Sequence, residues 1–190
     1  MYYYITHPDV VIDPEVPVPQ WPLSEVGRER MEKALRLPFL KDVHALYCSM
    51  EQKARDGAEI LGAHLALKAI ARADLGENDR SSTGYLPRDA FLTHVEAFFG
   101  NPSESIAGWE TAENAQARIV KAVRAIASEE GFDKTVVILG HGGVGSLLLT
   151  SLMGAPISMA QEQPGSSGGN WFSFNPDAWT VHSTWGAIDP

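Results

Sequence analysis

The sequence has 190 residues, of which 44% are hydrophobic and 21% charged, and its formal net charge is -9. This length suits one domain of residues 1–190, and the apolar share can bury a sizeable core, which excludes a wholly disordered or fibrous chain. An acidic balance without any basic block argues against nucleic acid as the main partner, while a local basic pocket for one small anion is still compatible with it.

Residues 2–6, Tyr-Tyr-Tyr-Ile-Thr, predict a strand that stops at His7-Pro8, where proline blocks further ladder bonding. Residues 9–22 carry four prolines and read as an extended surface loop. Ser24 is a helix N-cap, and the helix runs to about Leu37, before Pro38. Residues 43–48 read as a second strand, and Ser49-Met50-Glu51-Gln52 as a capping box launching a helix to about Leu67. A third strand is expected over 70–75, then a polar segment over 76–84, then a helix with Pro87 at its first position, ending at Phe99.

A long helix over about 110–130 ends at Gly131, read as a left-handed cap. Residues 135–139, Thr-Val-Val-Ile-Leu, form a continuous apolar strand of the kind buried on both faces, and Gly140-His141-Gly142-Gly143 turns it into a helix ending near Gly154. Residues 171–174 and 180–185 read as two closing strands. Strands alternating with helices predict a layered α/β domain with a mainly parallel sheet, whose ligands bind beyond the carboxyl ends of the strands. His7 and His141 both fall at that edge.

Glycines allow a backbone to approach a ligand closely, and a helix N-terminus favours an anion, so the turn at 140–143 suits a phosphate. Imidazole can act as nucleophile or proton carrier near neutral pH. Taken alone, a histidine beside proline is more often structural, and a solvated role is equally ordinary for Glu77 or Lys53. The meeting of two strand-end histidines is what lifts His7 above that reading.

Here the chain resembles the histidine phosphatase superfamily, with the phosphoglycerate-mutase-like fold, a three-layer α/β/α sandwich. Tyr3-Tyr4-Ile5-Thr6-His7 is similar to that family's first strand and its Arg-His-Gly, and residues 21–28 to its Leu-Thr-x-x-Gly-x-x-Gln region. Residues 47–55 resemble Ser-Ser-Pro-Leu-x-Arg-Ala, and residues 137–144 the second histidine motif. The resemblance implies that His7 attacks phosphorus, that His141 and basic residues hold the phosphate oxygens, and that an acid mapping onto Glu77 protonates the leaving oxygen. Thr6, Lys53, Gly142 and Arg80 are then the expected phosphate contacts, Arg55 being a further substitute on the opposite side of its helix from Lys53.

Three positions depart from the family pattern. Thr6 stands where arginine precedes the nucleophile, Pro8 where glycine follows it, and Lys53 where a second arginine is found. Planar guanidinium forks grip phosphate bidentately and lysine does not, so an unreplaced loss costs about ten- to a hundredfold in binding or rate. Two function classes follow. One is a phosphomonoester hydrolase acting on a small phosphorylated metabolite through a phosphohistidine on His7, with mutase activity less favoured. The other is a weakened member that binds a phosphorylated ligand or partner without turnover.

Rival motifs are weaker. Gly140-x-Gly142-x-x-Gly145 matches a dinucleotide fingerprint, but no further βαβ unit follows. Gly165-Ser166-Ser167-Gly168-Gly169, with Asp177 and His182 after it, matches a nucleophile elbow, but the preceding segment is polar and ends in proline. Six scattered histidines give no metal-ligand spacing, so neither metal nor cofactor is expected. The single Cys48 permits no internal disulfide, and neither a signal-like N-terminus nor a long apolar run is evident, so a cytoplasmic protein without membrane contact is expected. Symmetric homodimers are common among such enzymes, although no exposed stripe singles one out here.

Overall fold

A computed structural model describes residues 1–189, and among these the strands form one sheet. They are β1 (Tyr2–Thr6), β2 (Ala45–Ser49), β3 (Ile70–Arg72), β4 (Val136–Gly140), β5 (Asn170–Asn175) and β6 (Thr180–Ala187). Their spatial order is β3-β2-β4-β1-β5-β6. The first four of that order are parallel, and the closing pair β5 and β6 is antiparallel.

The helices are α1 (Glu25–Ala34), α2 (Gln52–Leu65), α3 (Arg88–Gly100), α4 (Ala112–Glu130) and α5 (Gly142–Leu152). Successive side chains of β4 point to opposite faces, and each face is covered. Val136 and Ile138 pack with Phe98 of α3, Ile119 of α4 and Leu148 of α5. Val137 and Leu139 pack with Met31 of α1 and Leu61 of α2. This is the expected three-layer sandwich, and a central strand sealed on both sides is why residues 136–139 are apolar without alternation.

Some boundaries differ from the sequence reading. The capping box at 49–52 does not form: β2 continues through Ser49, which pairs with Arg72, so the chain cannot turn helical until Gln52. Ser49 Oγ instead accepts the amide of Glu51 at 3.1 Å, and Glu51 becomes the N-cap with its carboxylate free for other partners. The third strand ends at Arg72 and passes into a 3-10 turn, Ala73–Leu75. Gly131 has φ 95° and ψ 154°, a positive-φ cap outside the left-handed helical region. No helix among the described residues is long and apolar enough to cross a membrane.

Tyr4, fully buried on β1, fixes the turn after β4. Its hydroxyl donates to the His141 carbonyl at 3.1 Å and accepts the His141 amide at 3.0 Å. The ring lies so close to Gly140 and Gly145 that a Cβ at those positions would stand 2.2 and 2.6 Å from its atoms. Two glycines of the dinucleotide-like pattern are therefore there to admit a tyrosine. Gly140→Ala should lower stability by about 1 to 3 kcal/mol through overpacking, read as a lower urea midpoint. The penalty should shrink in a Tyr4→Phe background, where the clashing hydroxyl is absent.

Candidate active site

In the parallel register of β1 with β4, Thr6 sits opposite Gly140, so the next residue of each strand is a histidine at the same sheet edge. The His7 amide donates to the Gly140 carbonyl at 3.1 Å, and the two imidazole rings stand 5.2 Å apart, edge to face at 70°. His141 is fully buried, and neither of its ring nitrogens makes a hydrogen bond. Nδ1 of His7 lies 2.9 Å from the Pro8 carbonyl oxygen. A carbonyl can only accept, so this contact places the ring proton on Nδ1 and leaves Nε2 with a free lone pair. Proline at position 8 thus costs the site nothing on this count, because the required group is a backbone carbonyl.

Burial pushes both imidazoles down to about 4, so near neutral pH both are uncharged. For His7 the Pro8 contact works against that shift; for His141 the Glu51 carboxylate does.

The expected phosphate contacts lie around this pair, each with partners of its own. The Lys53 ammonium is buried, donates to the Val18 carbonyl at 2.8 Å and is ion-paired with Glu51. Arg55 points to the exposed side of α2. Thr6 donates its hydroxyl to Gln163 Oε1 at 2.8 Å and accepts the Asn170 amide at 2.9 Å. Arg80 stacks over the Phe91 ring at 4.7 Å, near enough for its charge to oppose protonation of His7. Gly142 faces the side-chain amide of Gln163 so closely that a Cβ there would stand 2.1 Å from Nε2.

Glu77 reaches the start of α5. One carboxylate oxygen accepts the Gly143 amide at 3.0 Å and the other the Val144 amide at 2.9 Å. These are the orphan donors of a helix N-terminus, so the anion position read from the glycine turn is taken by the chain's own carboxylate. Arg118 holds the backbone of this segment through the carbonyls of Asp74, Gly76 and Glu77.

Three residues of this site were not singled out by the sequence reading. Glu51 has one oxygen 3.4 Å from His141 Nε2, where it also accepts the Glu77 amide at 2.9 Å, and the other against Lys53. Burial pushes its carboxyl up, but His141 and Lys53 outweigh that and bring it down to about 2. Its signal was a charged residue at the leucine of Ser-Ser-Pro-Leu-x-Arg-Ala, inside the segment read as a capping box. Gln163 arrives from an irregular loop with no pattern to mark it. Asn78 is buried next to Glu77 with its Nδ2 unpartnered.

The family model for the histidine phosphatase superfamily, branch 1, matches residues 18–185. The chain belongs to that superfamily. The match begins after the His7 segment, where Thr6 and Pro8 depart from the pattern. Structural likeness extends over the whole chain, including that segment. A mycobacterial glucosyl-3-phosphoglycerate phosphatase in complex with inorganic phosphate aligns with TM-score 0.77 and 19% identity, covering 100% of this chain and 98% of that one. The protein YhfR of Bacillus stearothermophilus aligns with TM-score 0.75 and 20% identity over 96% and 94% of the two chains. The alpha-ribazole phosphatase of Shigella flexneri aligns with TM-score 0.74 and 18% identity over 96% and 95%. At such identities the likeness establishes the fold. No curated protein matches the chain at a significant level.

The nucleophile-elbow alternative finds no matching geometry. Ser167 follows a loop rather than a strand, and its hydroxyl is bonded by Arg30 at 3.1 Å, while Asp177 and His182 are exposed. No group of three or more His, Cys, Asp or Glu suited to a metal occurs among the described residues.

The depressed imidazoles set a pH signature. Their folded values lie below the roughly 6.5 of a solvated histidine, so the unfolded chain binds more protons between about pH 4 and 6.5. Their contribution is complete above the unfolded value and is lost as pH falls toward 4. The urea midpoint should therefore fall from pH 7 to pH 5. In a His7→Gln, His141→Gln variant that decline should flatten, measured against wild type in the same buffers.

Proposed function

We propose that the protein is a phosphomonoester hydrolase acting on a small phosphorylated metabolite through a phosphohistidine on His7. The observation that carries this reading is the His7 ring, with Nδ1–H on the Pro8 carbonyl and its Nε2 lone pair free beside His141. The relatives named for phosphatase activity, on glucosyl-3-phosphoglycerate and alpha-ribazole, support a small phosphorylated substrate.

In this mechanism Nε2 of His7 attacks phosphorus, the P–O bond to the leaving group breaks, and the leaving oxygen takes a proton from Glu77. Water then attacks phosphorus, the P–N bond breaks, Nε2 recovers its lone pair and Glu77 recovers a proton from that water. Neutral imidazole at physiological pH is the form that nucleophilic attack needs. His141, the Gly142 amide, Arg80 and the third ammonium hydrogen of Lys53 hold the phosphoryl oxygens, joined by Thr6 when its O–H turns from Gln163.

A second reading, binding of a phosphorylated ligand or partner without turnover, is favoured by one observation: the only lysine at the site is already ion-paired with Glu51. One experiment separates the two. Incubation with radiolabelled aryl phosphate followed by an alkaline quench should leave alkali-stable, acid-labile label on the protein, lost in His7→Gln. His141→Gln should slow turnover about a hundredfold or more. Phosphate binding without label or hydrolysis would establish the binding role instead.

A further inference from the structure

The carboxylate of Glu51 stands among the very groups that a bound phosphoryl oxygen would use. One oxygen faces His141 Nε2 at 3.4 Å and the other pairs with the Lys53 ammonium. It is held there from two sides, by the Glu77 amide at 2.9 Å and by Lys53, itself pinned to the Val18 carbonyl. A second carboxylate, Glu77, fills the α5 amides close by.

An anion entering this site therefore meets a fixed negative charge. Two carboxylate-like oxygens in contact repel unless a proton lies between them, in which case the same contact becomes a short charge-assisted O–H···O bond. A phosphate monoester can supply that proton, because its second ionisation falls at about 6.

We propose that Glu51 determines which ionisation state of a phosphate this site accepts: the singly charged form, whose P–O–H donates to the Glu51 carboxylate. This rests on the reading of the site as a phosphate site. It also accounts for the loss of both family arginines. A monoanion needs less positive charge than a dianion, and Lys53 is the one buried cation among the described residues.

The groups facing Glu51 from the packed elements are His141 at the start of α5, His7 after β1, Lys53 on α2 and Glu77 after the 3-10 turn; Tyr4 acts on it at longer range, and Arg80 acts on His7. The histidines, pushed down to about 4, are uncharged across the tested range, and neutralising Glu51 removes a group that raises them, so the difference between the two proteins reports on Glu51.

The test uses the whole protein with methyl phosphate, titrated calorimetrically at about pH 5.5 and about pH 8, either side of the second ionisation near 6. Wild type should bind about tenfold or more tightly at the lower pH, the size expected for one nearby charge. Glu51→Gln keeps an acceptor for the Glu77 amide, and in it the preference should shrink to a few-fold or reverse. The 31P shift of methyl phosphate bound to wild type at about pH 8 should be that of the protonated monoanion, a readout that does not depend on the variant folding.

A dianion-like shift in wild type, or the same pH profile in both proteins, would overturn the role of Glu51 while leaving a phosphate site. Absence of methyl phosphate binding in both proteins at both pH values would overturn this role and the phosphatase reading together. A monoanion shift and a Gln-dependent profile, with no phosphohistidine trapped, would sustain Glu51 and overturn only turnover.

Discussion

Parallel pairing of β1 with β4 is the constraint on which the site depends. Because Thr6 is registered on Gly140, the two strands release a histidine each at neighbouring positions, although the two residues lie at opposite ends of the chain. A one-residue slip would turn every side chain of β1 to the other face, burying Tyr3 where Tyr4 belongs and dismantling its bonds to both backbone groups of His141. Fold and site are thus secured by one register, which the two differently filled cores enforce from above and below.

What that register delivers is a site of low charge. Both imidazoles are neutral, Lys53 is paired with Glu51, and the Gly143 and Val144 amides are bonded by Glu77. Lys53 and the Gly143 and Val144 amides already have partners within the chain, whereas the His141 ring nitrogens and Asn78 Nδ2 have none. His7 is positioned by the Pro8 carbonyl and the Gly140 carbonyl, neither of which depends on side-chain identity.

Much of the scaffold was legible from residue order. The span of β1, the unbroken apolar β4, the long α4 and the two histidines all followed from local pattern, because a strand sealed on both faces and an amphipathic helix write their environment into composition. Helical geometry puts Lys53 and Arg55 on opposite sides of α2, and it was the family register that favoured Lys53; the structure buries Lys53 and exposes Arg55. Its partner could not be foreseen. Glu51 read as an inner residue of a capping box until β2 proved to run one residue further, and Gln163 lies in a loop held by Asn170 and by Thr6 from the other end of the chain. Periodicity reports which face a side chain occupies and carries nothing about what it meets there.

The central claim is that His7 presents an uncharged Nε2 lone pair to the site. Nitrogen-15 NMR of the histidine-labelled protein measures this directly, through ring shifts and couplings recorded across the acid range. The account predicts that His7 is the neutral Nδ1–H tautomer, losing that state only as pH approaches about 4. A His7 ring protonated on Nε2, or one that charges near the ordinary histidine value of about 6.5, would contradict it.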